Sequence, residues 1–212
     1  MITLKTWVCN PFQENTFLAY DETGEALLID AGNNSPAENE RITSFISQNK
    51  LKPILLVSTH GHVDHVLGNR FLKTHYNLPY AAHAEDVGLI EGAASHALLF
   101  GFHAEDPPLP DRYLEDGEKI AFGHSSFIVI HLPGHSGGGI GLYSPEQSFV
   151  IVGDTLFEQS IGRTDLPGGD HEQLLESIHN RLLTLPDDTV VYPGHGPATT
   201  IGAEKRNNPY LQ

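Results

Sequence analysis

Thr59-His60-Gly61-His62-Val63-Asp64-His65 follows directly on the apolar run Ile54-Leu55-Leu56-Val57-Ser58. The apolar run reads as a buried β-strand. Four side chains able to ligate a metal then fall within six residues. Packing does not call for such a density of imidazole and carboxylate, whereas metal and catalytic centres do. His60 and His62, two apart in an extended turn, can clasp one ion. Asp64 and His65 are adjacent, point differently, and can serve a second.

The same grammar recurs three times further along: an apolar strand, a turn residue, then a ligand-capable side chain. Pro133-Gly134-His135-Ser136 follows the strand at 127–131, Gly153-Asp154-Thr155 follows 149–152, and Pro193-Gly194-His195-Gly196 follows 189–192. Alone, a histidine in a Gly-Pro turn is mostly a loop residue, and an aspartate after a strand mostly caps a turn. The first run gives these their meaning. Together they supply His60, His62, Asp64, His65, His135, Asp154 and His195, five imidazoles and two carboxylates. A catalytic zinc takes three protein ligands and a water, so seven suit two ions. Asp154, with two oxygens, can bridge them. Zinc fits such ligands best, though iron and manganese accept them too.

Outward from these loops, residues 2–8, 16–20 and 25–30 read as strands, the last ending in Asp30-Ala31-Gly32. Ser35-Pro36 opens a helix with Ile42, Phe45 and Ile46 on one face, closed off by Pro53. Residues 66–76 are predicted helical, 79–82 a strand, and a helix starts near Ala84. The stretch 101–116 carries Pro107, Pro108 and Pro110 and reads as a loop. Strands follow at 119–122, 127–131, 139–143 and 149–152, then an amphipathic helix at 170–183 and a last strand at 189–192. This is not regular βαβ alternation. Two sheets packed face to face with helices outside would cover every sheet face.

The chain has 212 residues and a formal net charge of −15. Its length predicts one domain over 1–212, as a monomer or small homo-oligomer. The acidity argues against nucleic acid and against an anionic membrane surface, because both are held by Lys and Arg. Neither a signal peptide nor a run of 18 apolar residues is present. Cys9 is the only cysteine. A reducing, cytoplasmic home is expected. Cys9 reads as a small buried residue. The remaining histidines, His75, His83, His96, His103, His124, His131, His171 and His179, read as surface or packing groups, with His131 a candidate support for the ligand loop four residues on.

The pattern His-x-His-x-Asp-His, followed by His, Asp and His on later loops, resembles the metallo-β-lactamase superfamily from about residue 16 to 195. The resemblance implies an α+β fold, a four-layer αββα sandwich with the site on one sheet edge. It also implies one metal at His60, His62 and His135, a second at Asp64, His65 and His195, and Asp154 bridging. Within the superfamily, Asn10-Pro11-Phe12-Gln13-Glu14-Asn15-Thr16, Gly153-Asp154-Thr155-Leu156-Phe157 and Gly162-Arg163-Thr164-Asp165-Leu166-Pro167-Gly168-Gly169 resemble the hydroxyacylglutathione hydrolase (glyoxalase II) branch in its short bacterial form. The longer form has a C-terminal helical domain with basic residues for glutathione. This sequence stops 17 residues after His195, and Gly196-Pro197 stands where a tyrosine is expected. Arg163 occupies the position of a basic substrate-binding residue. The lactamase branch usually has a cysteine on its second metal, and Cys9 lies far from the loops.

The implied function is hydrolysis of a small-molecule thioester, S-D-lactoylglutathione above others, by a hydroxide held between two divalent ions. Asp64 would both ligate and orient the nucleophile. Three rivals stand beside it. A persulfide dioxygenase would hold one iron on His60, His135 and Asp154, the triad that suits non-haem Fe(II). A lactonase or other esterase would use the same fold. A metal-retaining binding module would turn over nothing.

Overall fold

The computed structural model of the chain describes residues 1–101 and 104–212. Sheet one places β1 (Thr3–Cys9), β2 (Glu14–Tyr20), β3 (Glu25–Ile29), β4 (Lys52–Val57), β5 (Tyr80–Ala82) and β6 (Arg112–Tyr113) side by side in that order. The first three pair antiparallel, and β3 through β6 pair parallel. Parallel neighbours need crossovers. Helices α1 (Pro36–Gln48), α2 (Asn69–Tyr76) and α3 (Val87–Leu99) lie in those connections.

The second half begins with β7 (Lys119–Phe122), β8 (Ser125–His131), β9 (Ile140–Ser144) and β10 (Phe149–Gly153). A small hairpin follows, β11 (Leu156–Phe157) with β12 (Ser160–Ile161), and then α4 (His171–Ser177), which continues through a π turn over Ile178–Leu182. β13 (Val190–Pro193), β14 (Thr199–Thr200) and α5 (Ile201–Asn207) finish the chain. Sheet two runs β14-β13-β10-β9-β8-β7, with β10 and β13 parallel across α4.

Period-2 alternation along the strands sorts their side chains into three apolar layers. Phe17, Ala19, Leu27, Ile29 and Val57 of sheet one meet Phe127, Val129, Leu142 and Ile151 of sheet two. On the far side of sheet one, Leu18, Leu28 and Leu56 pack on Ile42 and Ile46 of α1, Leu72 of α2 and Ile90 of α3. On the far side of sheet two, Ile130, Val150, Val152 and Val191 pack on Leu174, Ile178, Leu182 and Ile201. Both faces of both sheets are covered. The expected αββα sandwich is the fold.

The sequence reading needs correction at several elements. Pro53 does not end α1. The helix stops at Gln48, followed by Asn49 as cap and Lys50 in the left-handed region (φ 56°). Pro53 instead lies inside β4, beside a register shift against β3 where a missing N–H is tolerated. Helix α2 starts at Asn69 rather than at 66, because Val63–His65 forms a 3₁₀ turn before it. Within the expected loop at 101–116, Arg112–Tyr113 adds a short edge strand to β5. The hairpin β11–β12, strand β14 and helix α5 had no reading. The assignment of His103 falls outside the described residues. Among those described, no helix is long and apolar enough to cross a membrane.

A polar tie between the sheets lies away from the strand ends that carry the ligand loops. Asp21, buried in the β2–β3 turn, accepts hydrogen bonds from Thr23 N (2.9 Å) and Thr23 Oγ1 (2.6 Å), and from His124 N (2.6 Å) in the β7–β8 turn. Burial works against the charge, but these donors outweigh it and hold the carboxyl at about 2. A depressed carboxylate contributes stability above its unfolded pKa of about 3.9 and loses it as pH falls through the folded value. Asp21→Asn is therefore expected to lower Tm by several degrees at pH 7, the size of a charged hydrogen-bond loss of about 1.5–3 kcal/mol. Thermal melts should show the gap closing as pH is taken from 4 towards 2. A gap independent of pH would contradict this assignment.

Candidate metal centre

Strands β8, β10 and β13 all run in one direction, so their C-terminal ends share an edge of sheet two. Strand β4 delivers its loop to the same place, where Thr59 O accepts from Ile140 N (2.8 Å) across the sandwich. The four ligand loops read from the sequence therefore converge, and all seven side chains come together.

His60, His62 and His135 form one cluster whose ligand-capable atoms lie within 4.8 Å of one another, and Asp64, His65 and His195 form another. Asp154 stands between them. Its Oδ1 is 3.4 Å from His65 Nε2, and its Oδ2 is 3.7 Å from His135 Nε2 and 3.5 Å from His195 Nε2. Asp64 Oδ2 reaches His195 Nε2 at 3.0 Å. Ring nitrogens face each other directly: His62 Nδ1 and His135 Nε2 at 2.8 Å, His65 Nε2 and His195 Nε2 at 3.3 Å. His60 Nε2, His62 Nε2 and Asp154 Oδ1 are buried with no hydrogen-bond partner. Electron pairs aimed at one another in a dry place repel, and a cation among them turns that repulsion into ligation. The residues therefore fit metal ions.

The electrostatics differ between the two clusters. Burial, then the surrounding rings, push His60 well below the usual imidazole range; burial and His135 take His62 to about 3. Both keep a free lone pair. Burial opposes a charge on His65 and His195, but Asp154 and Asp64 outweigh it and raise both. Burial likewise opposes charge on Asp64 and Asp154, and His65 in turn holds both carboxylates below their ordinary values.

Sequence reasoning missed the residues that hold this cluster in place. Asp30, fully buried, accepts from Thr59 N (2.6 Å) and Thr59 Oγ1 (2.7 Å) and faces His65 Nδ1 at 3.2 Å. Its φ of 51° turns the chain sharply at the end of β3. Asp86, also buried, accepts from Gly61 N (2.7 Å), Ser136 Oγ (2.8 Å) and Gly138 N (2.7 Å). Asn10 donates to the carbonyls of Gly32 and Asp64, and Asn15 to those of Pro193 and Gly196. Backbone carbonyls orient two ligand rings: Arg163 O faces His135 Nδ1 (2.7 Å), and Phe12 O faces His195 Nδ1 (3.0 Å).

The centre opens into a cavity of about 310 Å³. Its walls are Phe12, Val63, Leu99, Phe100, Leu166 and Pro167, with His96 and Arg163 at the side. His96, expected to be a packing residue, thus lines the cavity. Arg163 is the one Lys or Arg among the lining residues, and its guanidinium is held bidentately by Asp165, at 2.7 Å for both bonds. Cys9 is buried as expected. Burial lifts its thiol to about 11, and it belongs to neither ligand cluster.

A convergent His/Asp centre on the edge of an αββα sandwich defines a class of metal-dependent hydrolases. A family model described as the metallo-beta-lactamase superfamily matches residues 9–195, and the chain belongs to that superfamily. It is 41% identical over 202 residues, 94% of this chain and 93% of the relative, to the hydroxyacylglutathione hydrolase GloC of Haemophilus influenzae. Among solved structures, TTHA1623 in a di-iron-bound form is 42% identical, with a TM-score of 0.88 over 98% of this chain and 100% of that one. The B3 metallo-beta-lactamase BLEG-1 is 35% identical, with a TM-score of 0.91 over 99% and 100%. The chain is thus a metallo-hydrolase of this superfamily.

Gly194 tests the geometry without touching a ligand. A Cβ there would sit 2.6 Å from His65 Cε1 and closer still to Asp154 Oδ1. Gly194→Ala is expected to leave the circular dichroism spectrum unchanged while bound metal, counted by mass spectrometry, falls. Full metal occupancy in that variant would show that the cluster tolerates displacement.

Proposed function

We propose that the chain is a thioester hydrolase of the hydroxyacylglutathione hydrolase type, using two divalent ions held in the two clusters. The observation that carries this reading is the pair of three-ligand groups flanking one carboxylate at the floor of an apolar cavity. His60, His62 and His135 would hold one ion, Asp64, His65 and His195 the other, with Asp154 between them. Zinc suits these donors, and the di-iron neighbour keeps iron in contention. When bound, the metals supply Lewis acidity and a water acidified to near neutrality.

The chain's own residues do the rest. Asp64 is held anionic beside His195 and lies where it can orient an attacking water. His65 is braced from behind by Asp30, which fixes the ring against rotation. Phe12, Leu99 and Phe100 screen the reacting carbonyl from bulk solvent, which strengthens every electrostatic contact at the floor. A thiolate leaves without a strong general acid, and the cavity lining presents no unpaired Lys or Arg to act as one. The similarity to GloC, which this chain matches over nearly its whole length, supports the thioester assignment. A reducing, cytoplasmic setting goes with a thiol product.

Asp154→Ala should lose metal and turnover of S-D-lactoylglutathione together, by more than the 10–100-fold that removal of a supporting residue costs. Full activity in that variant would refute the site. A single iron with oxygen uptake in the wild type would replace hydrolysis by a persulfide dioxygenase. Turnover of a lactone or of a β-lactam in preference to the thioester would move the reading to an esterase or to a lactamase like BLEG-1.

Arg163 is proposed to meet a substrate carboxylate once it leaves Asp165. Its carbonyl supports His135 whatever the side chain, so Arg163→Ala leaves that bond in place. KM for S-D-lactoylglutathione is expected to rise about threefold to tenfold with kcat nearly unchanged, the scale of an exposed charge contact. An unchanged KM would remove Arg163 from substrate binding.

A further inference from the structure

Two histidines read from the sequence as surface or packing groups meet each other. His83 directly follows β5 of sheet one, and His131 is the last residue of β8 of sheet two. Their rings stack with centroids 4.2 Å apart and planes 17° from parallel. Glu85 completes the group: one ligand-capable atom from each of the three lies within 4.8 Å of the others. No residue is shared with the two clusters at the catalytic edge.

We propose that His83, His131 and Glu85 form a separate transition-metal site that clips sheet one to sheet two. Two imidazoles and a carboxylate suit zinc, copper(II), nickel or cobalt rather than calcium or magnesium. His131 Nε2 lies 3.0 Å from the carbonyl of Gly137. Donation there places the ring proton on Nε2 and leaves Nδ1 as a lone pair. A ligand histidine is commonly fixed in this way, by giving its other N–H to a carbonyl. Both rings are half-buried and Glu85 is exposed, so an ion has a path in and a water can complete its coordination.

The placement has a mechanical consequence. Glu85 adjoins Asp86, whose carboxylate joins the His60–His65 loop to the loop after His135, and Gly137 belongs to that second loop. An ion at this group would stiffen the frame of the catalytic centre without touching it. Binding to the folded state alone would raise Tm with ion concentration.

The test uses the purified protein carrying its resident metals. Copper(II) added at one equivalent is expected to give an electron paramagnetic resonance signal with coupling to two imidazole nitrogens. Equilibrium dialysis should count one more ion than in His83→Gln or His131→Gln, with thioester turnover of His83→Gln unchanged. The proposal is overturned if wild type and variants bind copper equally, or if the signal carries no two-imidazole coupling. Diethylpyrocarbonate labelling of the wild type gives a reading that needs no variant. Copper should protect His83 and His131, and labelling unaltered by the ion would equally overturn the site.

Discussion

One buried carboxylate sets how the two halves of the centre meet. Asp86 accepts from Gly61 N, between the first two ligand histidines of β4's loop, and from Ser136 Oγ and Gly138 N, just past His135. The first loop hangs from sheet one and the second from sheet two. This link adds to the Thr59 O–Ile140 N bond across the same seam, where apolar packing alone is non-directional. Three short hydrogen bonds to one side chain are directional. They satisfy a group whose burial alone would cost several kcal/mol. A metal centre needs its ligands within about 0.5 Å of the working geometry, and Asp86 supplies that precision at the seam of the sandwich.

Behind the ligands the fold carries an unusual load of buried charge. Glu14 and Asp30 are fully buried within 4.8 Å of a His65 nitrogen. Burial, then Asp30 and Asp64, push Glu14 well above the carboxylate range although His65 opposes them. Its Oε2 accepts from Thr16 Oγ1 at 2.8 Å. Glu14, Asp30 and His65 thus form a compact buried group directly behind the ligands. Such an arrangement is costly to fold alone and less so around cations, which couples folding to metal uptake.

The sequence showed the ligands plainly because they are dense and follow apolar strands. His60, His62, Asp64 and His65 need only local reading, and His135, Asp154 and His195 repeat the same strand-turn-ligand grammar. Asp30 and Asp86 were hidden for the opposite reason. Each is a single aspartate at an element boundary, where capping is the ordinary explanation. Asp30-Ala31-Gly32 was visible as a strand meeting a loop, but nothing local says that its carboxylate will reach Thr59 in the loop after β4. Two-residue strands such as β6, β11 and β14 carry no periodicity to read. The meeting of His83 and His131 depends on which strand ends adjoin across the sandwich, and no window of sequence contains that.

The motifs that suggested a branch of the superfamily turn out to differ in kind. Asn10 and Asn15 brace the loops of Asp64 and His195 through backbone carbonyls, and Phe12 lends its own carbonyl to His195. That motif is mostly framework. The Gly162-to-Gly169 motif does two jobs: Arg163 O orients His135, while Leu166 and Pro167 form cavity wall. Asp165 engages the Arg163 side chain, so a substrate carboxylate has to displace it to reach the guanidinium. Relatives with names as different as hydroxyacylglutathione hydrolase and B3 metallo-beta-lactamase can share this frame because it specifies the metal floor and leaves the walls free. On the proposed function, discrimination between substrates falls to the end of α3, where Leu99 and Phe100 stand exposed over the cavity, and to the balance between Arg163 and Asp165. Both lie on the rim, where changes cost the fold little and the substrate much.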